Sequence, residues 1–319
     1  MSQAPKRKPS IGGQAVLEGV MMRGPASWSV ACRRPDETIA VEHFSLPTMA
    51  ERHPWLKWPL VRGCLVLGES LAIGIKALMI SANHALDEEE QLSDKQLGWT
   101  LTMAMILFTA VFIALPFFGT ELVENAVGDL STERPLVFNL IEVSIRLGMF
   151  VGYLLLIGLF KDIRRVFQYH GAEHKTIYAY ENGDELHPAE IDRKYSTLHV
   201  RCGTNFLFIV LFLTLIAHFV LDLAVSADPL PRVALRIGAI PVLAGVSYEA
   251  IKLASRNEDS LFFRLSMLPG LALQRITTKP PSLDQIEVAI VAMQAVAKDL
   301  EHPPPGPEAA PEPPEAPVA

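Results

Sequence analysis

The sequence predicts a mainly α-helical membrane protein with four transmembrane helices, amphipathic interfacial helices and a small N-terminal β-containing cytoplasmic unit. Three observations support this class. Half of the 319 residues are hydrophobic and only 20% are charged, whereas soluble proteins carry about 25% charged residues. Several stretches with few charges are long enough to cross a bilayer. Lys and Arg are alternately abundant and scarce in the segments between those stretches.

Charge and cysteine content exclude two other classes. The net charge of −7 and the isoelectric point near 5.7 argue against a nucleic-acid partner. The three cysteines are odd in number and far apart, so they provide no disulfide framework. No secretory signal peptide is predicted, because Glu18 and Arg23 interrupt the segment that follows the basic N-terminal tail.

The N-terminal region, residues 1–59, predicts a cytoplasmic unit with a β-hairpin. Residues 28–44 are rich in β-formers on both sides of a Pro-Asp-Glu turn at 35–37. Glu18 lies in a glycine-flanked segment with two interpretations. It pairs with Arg23 in a turn, which we favour, or it supplies a ligand or a general base to a site elsewhere.

The next region, residues 60–96, is predicted to be interfacial. Its residues 60–84 predict an amphipathic helix that lies in the membrane interface. Arg62, Glu69 and Lys76 recur every seven residues, so they share one helix face. An apolar helix with one charged face is typical of segments that lie at the membrane surface. A transmembrane span is the alternative.

The membrane region covers residues 97–254, with four predicted spans at 97–118, 136–160, 204–221 and 233–254. Glu142 and Arg146 stand four residues apart inside the second span. Charged groups are costly in lipid, and this spacing lets the two side chains neutralise each other on one helix face.

Lys and Arg counts determine the orientation of these spans. Before, between and after the spans, the chain holds eleven, one, seven, one and six Lys and Arg residues, with the last segment counted from Lys252 at the end of the fourth span. Segments rich in these residues stay in the cytoplasm. The pattern therefore predicts a multi-pass plasma-membrane protein with both termini and the 161–203 loop in the cytoplasm.

The segments around the last two spans predict further helices. The second span is expected to continue as a helix to an Asn-Gly C-cap at 182–183. Residues 255–301 predict a cytoplasmic region with an amphipathic segment at 261–273 and a helix at 282–300. The Pro-rich tail at 302–319 predicts disorder and receives no function.

The 161–203 loop contains a pattern typical of metal-dependent hydrolases. His170 and His174 stand four residues apart, so on a helix both imidazoles can bind one metal ion. Glu173 lies between them, placed to take a proton from metal-bound water. His-x-x-Glu-His is the inverted zincin arrangement.

His199 and Cys202 stand three apart just before the third span, at the same membrane depth. We expect them to join His170 and His174 around a metal, with zinc as first choice because nitrogen and sulfur ligands suit it. Four ligands would make a closed structural site, and three with Glu173 nearby a catalytic one. Alternatively, the histidines cap helices or bind head groups, and Cys202 packs as a small buried residue.

Several long motifs resemble the YqhQ-like family of bacterial membrane proteins. They are IGGQAVLEGVMMRGP, SANHAL, HGAEHKTIYAYENG, LHVRCGTNF and PGLALQRITTKPP, in that order over roughly residues 10 to 300. This is a domain of unknown function, and some descriptions predict metal-dependent enzymes. The resemblance implies a bacterial inner-membrane location and no established reaction.

The sequence is compatible with three functions. The first is a metal-dependent hydrolase at the cytoplasmic membrane surface, acting on a peptide, ester or amide. The second is a membrane scaffold that binds a protein partner and holds a structural metal or none. A transporter that uses the charges inside the spans is third, because the four spans show no repeat.

Overall fold

The protein is described by a computed structural model over residues 11–46, 58–86, 93–111, 134–224, 229–257 and 260–301, with isolated positions between 112 and 133. The described chain forms one sheet and a set of helices. The strands are β1 (Gly12–Val16), β2 (Gly19–Arg23), β3 (Ser27–Arg33) and β4 (Ile39–Ser45). The helices are α1 (Pro59–Ala85), α2 (Asp94–Thr109), α3 (Pro135–Ile157), α4 (Lys161–Asn182), α5 (Pro188–Lys194), α6 (Gly203–Ala224), α7 (Pro229–Arg256), α8 (Leu261–Thr277) and α9 (Leu283–Glu301).

The sheet is an antiparallel meander in the order β1-β2-β3-β4. The predicted hairpin corresponds to β3 and β4, and its turn is closed by Asp36, which accepts the Thr38 N–H at 3.0 Å. The β1–β2 hairpin was not predicted, because glycines and a continuous apolar run hide its alternation. Its two-residue turn places Glu18 at a positive φ of 49°.

Helices cover both faces of this sheet. Val20 and Met22 of β2 point to one face, where α4, α5 and α9 pack, whereas Met21 points to the other face, where α1 packs. Alternate residues of a strand point to opposite faces, so one strand contributes to two cores. The buried apolar residues of α9 are Ile286, Val288, Ala289, Ile290, Ala292, Met293 and Val296.

The three charged residues of α1 face protein, and its leucines face outward. Arg62 pairs with Glu249 of α7 at 2.6 Å, Glu69 pairs with Arg23 at 2.8 Å, and Lys76 lies over the Phe44 ring. Leu67, Leu71 and Leu78 lie on the exposed surface. The shared charged face is confirmed, and it contacts the sheet and α7, although Lys76 also remains exposed to water.

The two halves of α1 have different neighbours. Near its start, α1 crosses α7 so closely that a Cβ on Gly63 would lie 2.9 Å from the Cα of Gly245. Such small-residue crossings are common between membrane helices. The second half of α1 packs against the sheet through Ile73 and Ala77.

Three helical stretches in the described chain are long and apolar enough to cross a membrane: Pro59–Ala85, Leu136–Ile157 and Gly203–Leu221. The last two match predicted spans, and the first is α1. Of the predicted 97–118 span, only the shorter apolar helix Gly98–Thr109 is well described, and most of 112–118 lies outside the described residues. The 233–254 span falls within the continuous helix α7 but is not among the three.

Inside α3, Arg146 donates to Glu142 at 2.5 Å, which confirms the predicted self-pairing. The predicted continuation of this helix into the loop is wrong. The chain turns at residues 158–160, where Phe160 is extended, and α4 starts at Lys161. As predicted, α4 ends at Gly183, which adopts a left-handed φ of 75°.

The two C-terminal helices are close to prediction. α8 extends four residues past the expected 261–273, and α9 coincides with 282–300 within one residue. The predicted tail at 302–319 lies outside the described residues. The division of the chain into domains stays a prediction.

Candidate metal centre

Helix α4 brings His170 and His174 together. One turn of helix separates them, and their ring centroids are 4.4 Å apart. Both nitrogens nearest the backbone are held: Nδ1 of His170 lies 2.9 Å from the Thr277 carbonyl oxygen, and Nδ1 of His174 lies 2.5 Å from that of Thr197. A carbonyl only accepts, so each Nδ1 carries the proton and each Nε2 keeps its lone pair for a metal.

Cys202 completes a three-residue cluster. Its Sγ lies 3.3 Å from Nε2 of His170. The ligand atoms of His170, His174 and Cys202 all lie within 4.8 Å of one another, so the cluster could hold a metal ion. Zinc bonds of 2.0–2.3 Å in a tetrahedron place ligand atoms about 3.3–3.8 Å apart, so a small contraction would suit zinc.

His199 lies beside the cluster but is not among the three residues whose ligand atoms converge. Its ring is 5.4 Å from that of His174 and 4.4 Å from that of Tyr178, centroid to centroid. Burial, with the nearby His174, lowers the pKa of His199 well below its ordinary value, so the ring is neutral. Its role as a fourth ligand stays a prediction.

The loop that carries His199 and Cys202 is held by Gln274 of α8. The fully buried Gln274 side chain accepts the His199 N–H at 2.8 Å and donates to the His199 carbonyl at 2.7 Å. Asn205 adds a bond to the Val200 carbonyl at 2.6 Å. Sequence reasoning missed Gln274, because it lies 75 residues from His199 and no spacing rule links them.

The segment after α8 passes tightly over α4. The Lys279 N–H donates to the Phe167 carbonyl at 2.9 Å, and a Cβ on Gly171 would lie only 2.2 Å from the Lys279 carbonyl oxygen. Gly171, between the two histidines, is therefore needed for this close approach. Thr277, the last residue of α8 just before this segment, orients His170 through its carbonyl.

Glu173 is a residue of α4, and its side chain lies between this helix and β1. Its side chain is buried against Gly13, where a Cβ would come within 2.7 Å of the carboxylate. Because Gly13 has no side chain, the carboxylate can approach the backbone of β1 this closely. Burial raises the pKa of Glu173 to about 7, and the electrostatic effect of nearby His170 partly opposes this shift.

A cleft of about 810 Å³ contains the cluster. The edge of β1, helices α1, α4 and α7, the loop at 199–202 and the start of α6 line it, and Val66, Phe167 and Ile177 give it apolar walls. Arg23 and Arg201 also line the cleft. Each is paired with a carboxylate, Arg23 with Glu69 and Arg201 with Glu181.

The favoured pairing of Glu18 with Arg23 is wrong. Arg165 of α4 holds both oxygens of Glu18, at 2.6 and 2.5 Å, and the Tyr169 hydroxyl lies 3.3 Å away. The strand pairing explains this outcome: the β1–β2 turn projects Glu18 onto α4, while Arg23 lies at the far end of β2. Glu18 is absent from the lining of the cleft.

The fold and the site define a mainly helical protein whose described residues include three helices apolar enough to cross a membrane and a His-Cys cluster in a cleft beside its sheet. Residues 58–299 match the family described as a protein of unknown function, DUF1385, and the chain belongs to this family. It is similar to the uncharacterized protein YqhQ of Bacillus subtilis (strain 168), with 36% identity over 304 residues that cover 89% of this chain and 91% of the relative. No solved structure matches.

Proposed function

We propose that this protein is a metal-dependent hydrolase in the bacterial inner membrane, with its site at the cytoplasmic surface. The convergence of His170, His174 and Cys202, with ligand atoms within 4.8 Å of one another, carries the proposal. Three ligands leave one position of a tetrahedral metal open, as is typical of catalytic zinc sites. Two imidazoles and a thiolate suit zinc.

Glu173 is the general base in this proposal. It lines the same cleft as the three ligands, and it directly precedes His174 on α4. When bound, zinc would polarise a substrate carbonyl and make water more acidic. Glu173 would accept the proton of the attacking water and pass it to the leaving nitrogen or oxygen of a peptide, amide or ester.

The apolar walls of the cleft favour a membrane-associated substrate. Val66 of α1 and Tyr248 of α7 line it, and the exposed Leu67 and Leu71 follow on α1. The cleft therefore borders the surface that we assign to lipid. A substrate with an apolar portion could enter from the bilayer without crossing water.

We further propose four spans, with the N- and C-terminal segments in the cytoplasm and α1 at the interface. The second half of α1 packs on the sheet, so those residues are not free to cross the bilayer. The outward leucines of α1 would enter the lipid surface. An engineered cysteine at position 129 should label from outside, and one at 184 should not. The opposite pattern would overturn this topology.

The decisive experiment measures metal in purified protein. Wild type should hold about one zinc ion per chain, and His174→Ala should hold almost none, because a missing ligand opens the site. His187→Ala is the matched control, since exposed His187 precedes α5 and lies outside the cluster. Absence of metal from wild type would contradict the proposal.

Glu173→Gln separates an enzyme from the alternative, a non-enzymatic scaffold with a protein partner and a structural metal or none. In an enzyme, this variant keeps its metal but fails to restore a deletion strain, because loss of a general base costs about 10²–10⁴-fold in rate. In a scaffold, the variant would restore the strain at normal abundance.

A further inference from the structure

His199, a residue of the cleft wall, has a hydrogen-bonding atom without a partner in the described chain. The residue is 4% exposed, and its Nε2 is buried without a hydrogen-bond partner in the part of the chain that the structure describes. His199 lines the cleft together with His170, His174 and Cys202. Buried polar atoms usually have a partner, so this one indicates a missing acceptor or donor.

The backbone determines which kind of partner is missing. The Arg201 N–H donates to Nδ1 of His199 at 3.2 Å, so Nδ1 holds a lone pair and no proton. A neutral imidazole carries one N–H, which must then be on Nε2. His199 is therefore a donor through Nε2 in this tautomer, whereas His170 and His174 carry a lone pair on Nε2.

We propose that the Nε2–H of His199 donates a hydrogen bond to the carbonyl oxygen, or derived oxyanion, of a molecule bound at the metal cluster. This assignment rests on the proposed function, because the cluster positions that molecule. It makes His199 a donor to the substrate rather than a fourth ligand. It also restricts the substrate class to carboxylic acid derivatives, which present such an oxygen.

Two substitutions separate the nitrogens of His199. His199→Asn places an amide near the Nδ1 position, where its oxygen can still accept the Arg201 N–H, but it cannot reach the acceptor. His199→Gln reaches the Nε2 position with an amide N–H and preserves the donor. Both variants are smaller than histidine and polar, so the pair is matched for loss of packing.

The test uses full-length, detergent-purified protein loaded with Co²⁺ and titrated with acetohydroxamate, a metal-binding carbonyl compound, by visible absorption. His199→Asn should keep its cobalt and bind acetohydroxamate about tenfold to hundredfold more weakly, since hydrogen bonds to charged groups are strong. His199→Gln should remain within about threefold of wild type.

Each other outcome has a distinct meaning. Equal acetohydroxamate affinity for His199→Asn and wild type would overturn the donor role alone. Loss of cobalt from both His199 variants would make His199 a ligand and overturn the inference. An equal weakening in both variants would indicate a purely structural role and overturn it also. Failure of wild type to bind cobalt would refute the proposed function itself.

Discussion

His170 and His174 reach the candidate metal centre from a regular helix, whereas Cys202 reaches it from a loop that a distant helix holds in place. On the helix side, the spacing of four residues alone brings the two rings together. On the loop side, position depends on Gln274, which binds both backbone groups of His199. One side is local in sequence, and the other is assembled only when α8 docks.

The largest effect is expected from disturbing the helix side at Gly171. Gly171→Ala would place a Cβ 2.2 Å from the backbone oxygen of Lys279, so the segment after α8 must move. Overpacking of this kind costs about 3 kcal/mol or more. The Tm measured in detergent should fall by roughly 6–12 °C. The matched control is Gly152→Ala in α3, where a Cβ meets nothing within 4 Å. An unchanged Tm for Gly171→Ala would show that the crossing is loose.

The loop side should respond to Gln274→Ala with a loss of metal affinity. The change removes the partner of the His199 N–H and the nearest donor to the His199 carbonyl, so Cys202 is less well positioned. Loss of such outer-shell support typically weakens metal binding about tenfold to hundredfold. Competition with a zinc chelator would measure this affinity.

Gln285→Ala is the control for that prediction. Gln285 is also buried, but it accepts the Ser282 N–H at the start of α9, away from the cluster. This variant should lose stability and keep its metal affinity. If both glutamine variants weaken metal binding equally, the loop side is not held specifically by α8.

The smallest effect is expected at Thr204, whose hydroxyl lies 3.3 Å from the Cys202 Sγ. Thr204→Val keeps the shape and the backbone N–H that donates to the sulfur at 3.5 Å. Zinc affinity should fall by only about threefold to tenfold, because one of two hydrogen bonds remains. Thr214→Val, further along α6, should leave zinc affinity unchanged. A loss beyond a hundredfold would mean that the hydroxyl itself binds the metal.

The sequence predicted those features that depend on residues close together in the chain. The helix carrying His170 and His174, the C-cap at Gly183 and the β3–β4 hairpin follow from spacing and turn chemistry. The shared face of Arg62, Glu69 and Lys76 was also readable. The sequence did not predict which elements contact that face, because charges that pair within the protein and charges that contact water have the same spacing.

Contacts between distant segments were not readable from spacing. Glu18 was matched with Arg23, five residues away, but the sheet directs it to Arg165. The carbonyls of Thr197 and Thr277 could be supplied by any residue type, and Gln274 acts through a side chain that lies 75 residues from its partner His199. Such partners depend on how helices dock, which hydrophobic periodicity does not determine.

The layering of the sheet also has a consequence for synthesis of the chain. Ser29 in β3 donates to the Ala292 carbonyl of α9, so contacts on that face join residues 263 positions apart. At about 5–20 residues per second, the ribosome needs roughly 13–53 s to synthesise the chain from β3 to α9. During that time the apolar residues Val20 and Met22 lack α9. Ribosome-bound chains that stop before α9 should therefore bind chaperones and be degraded by proteases.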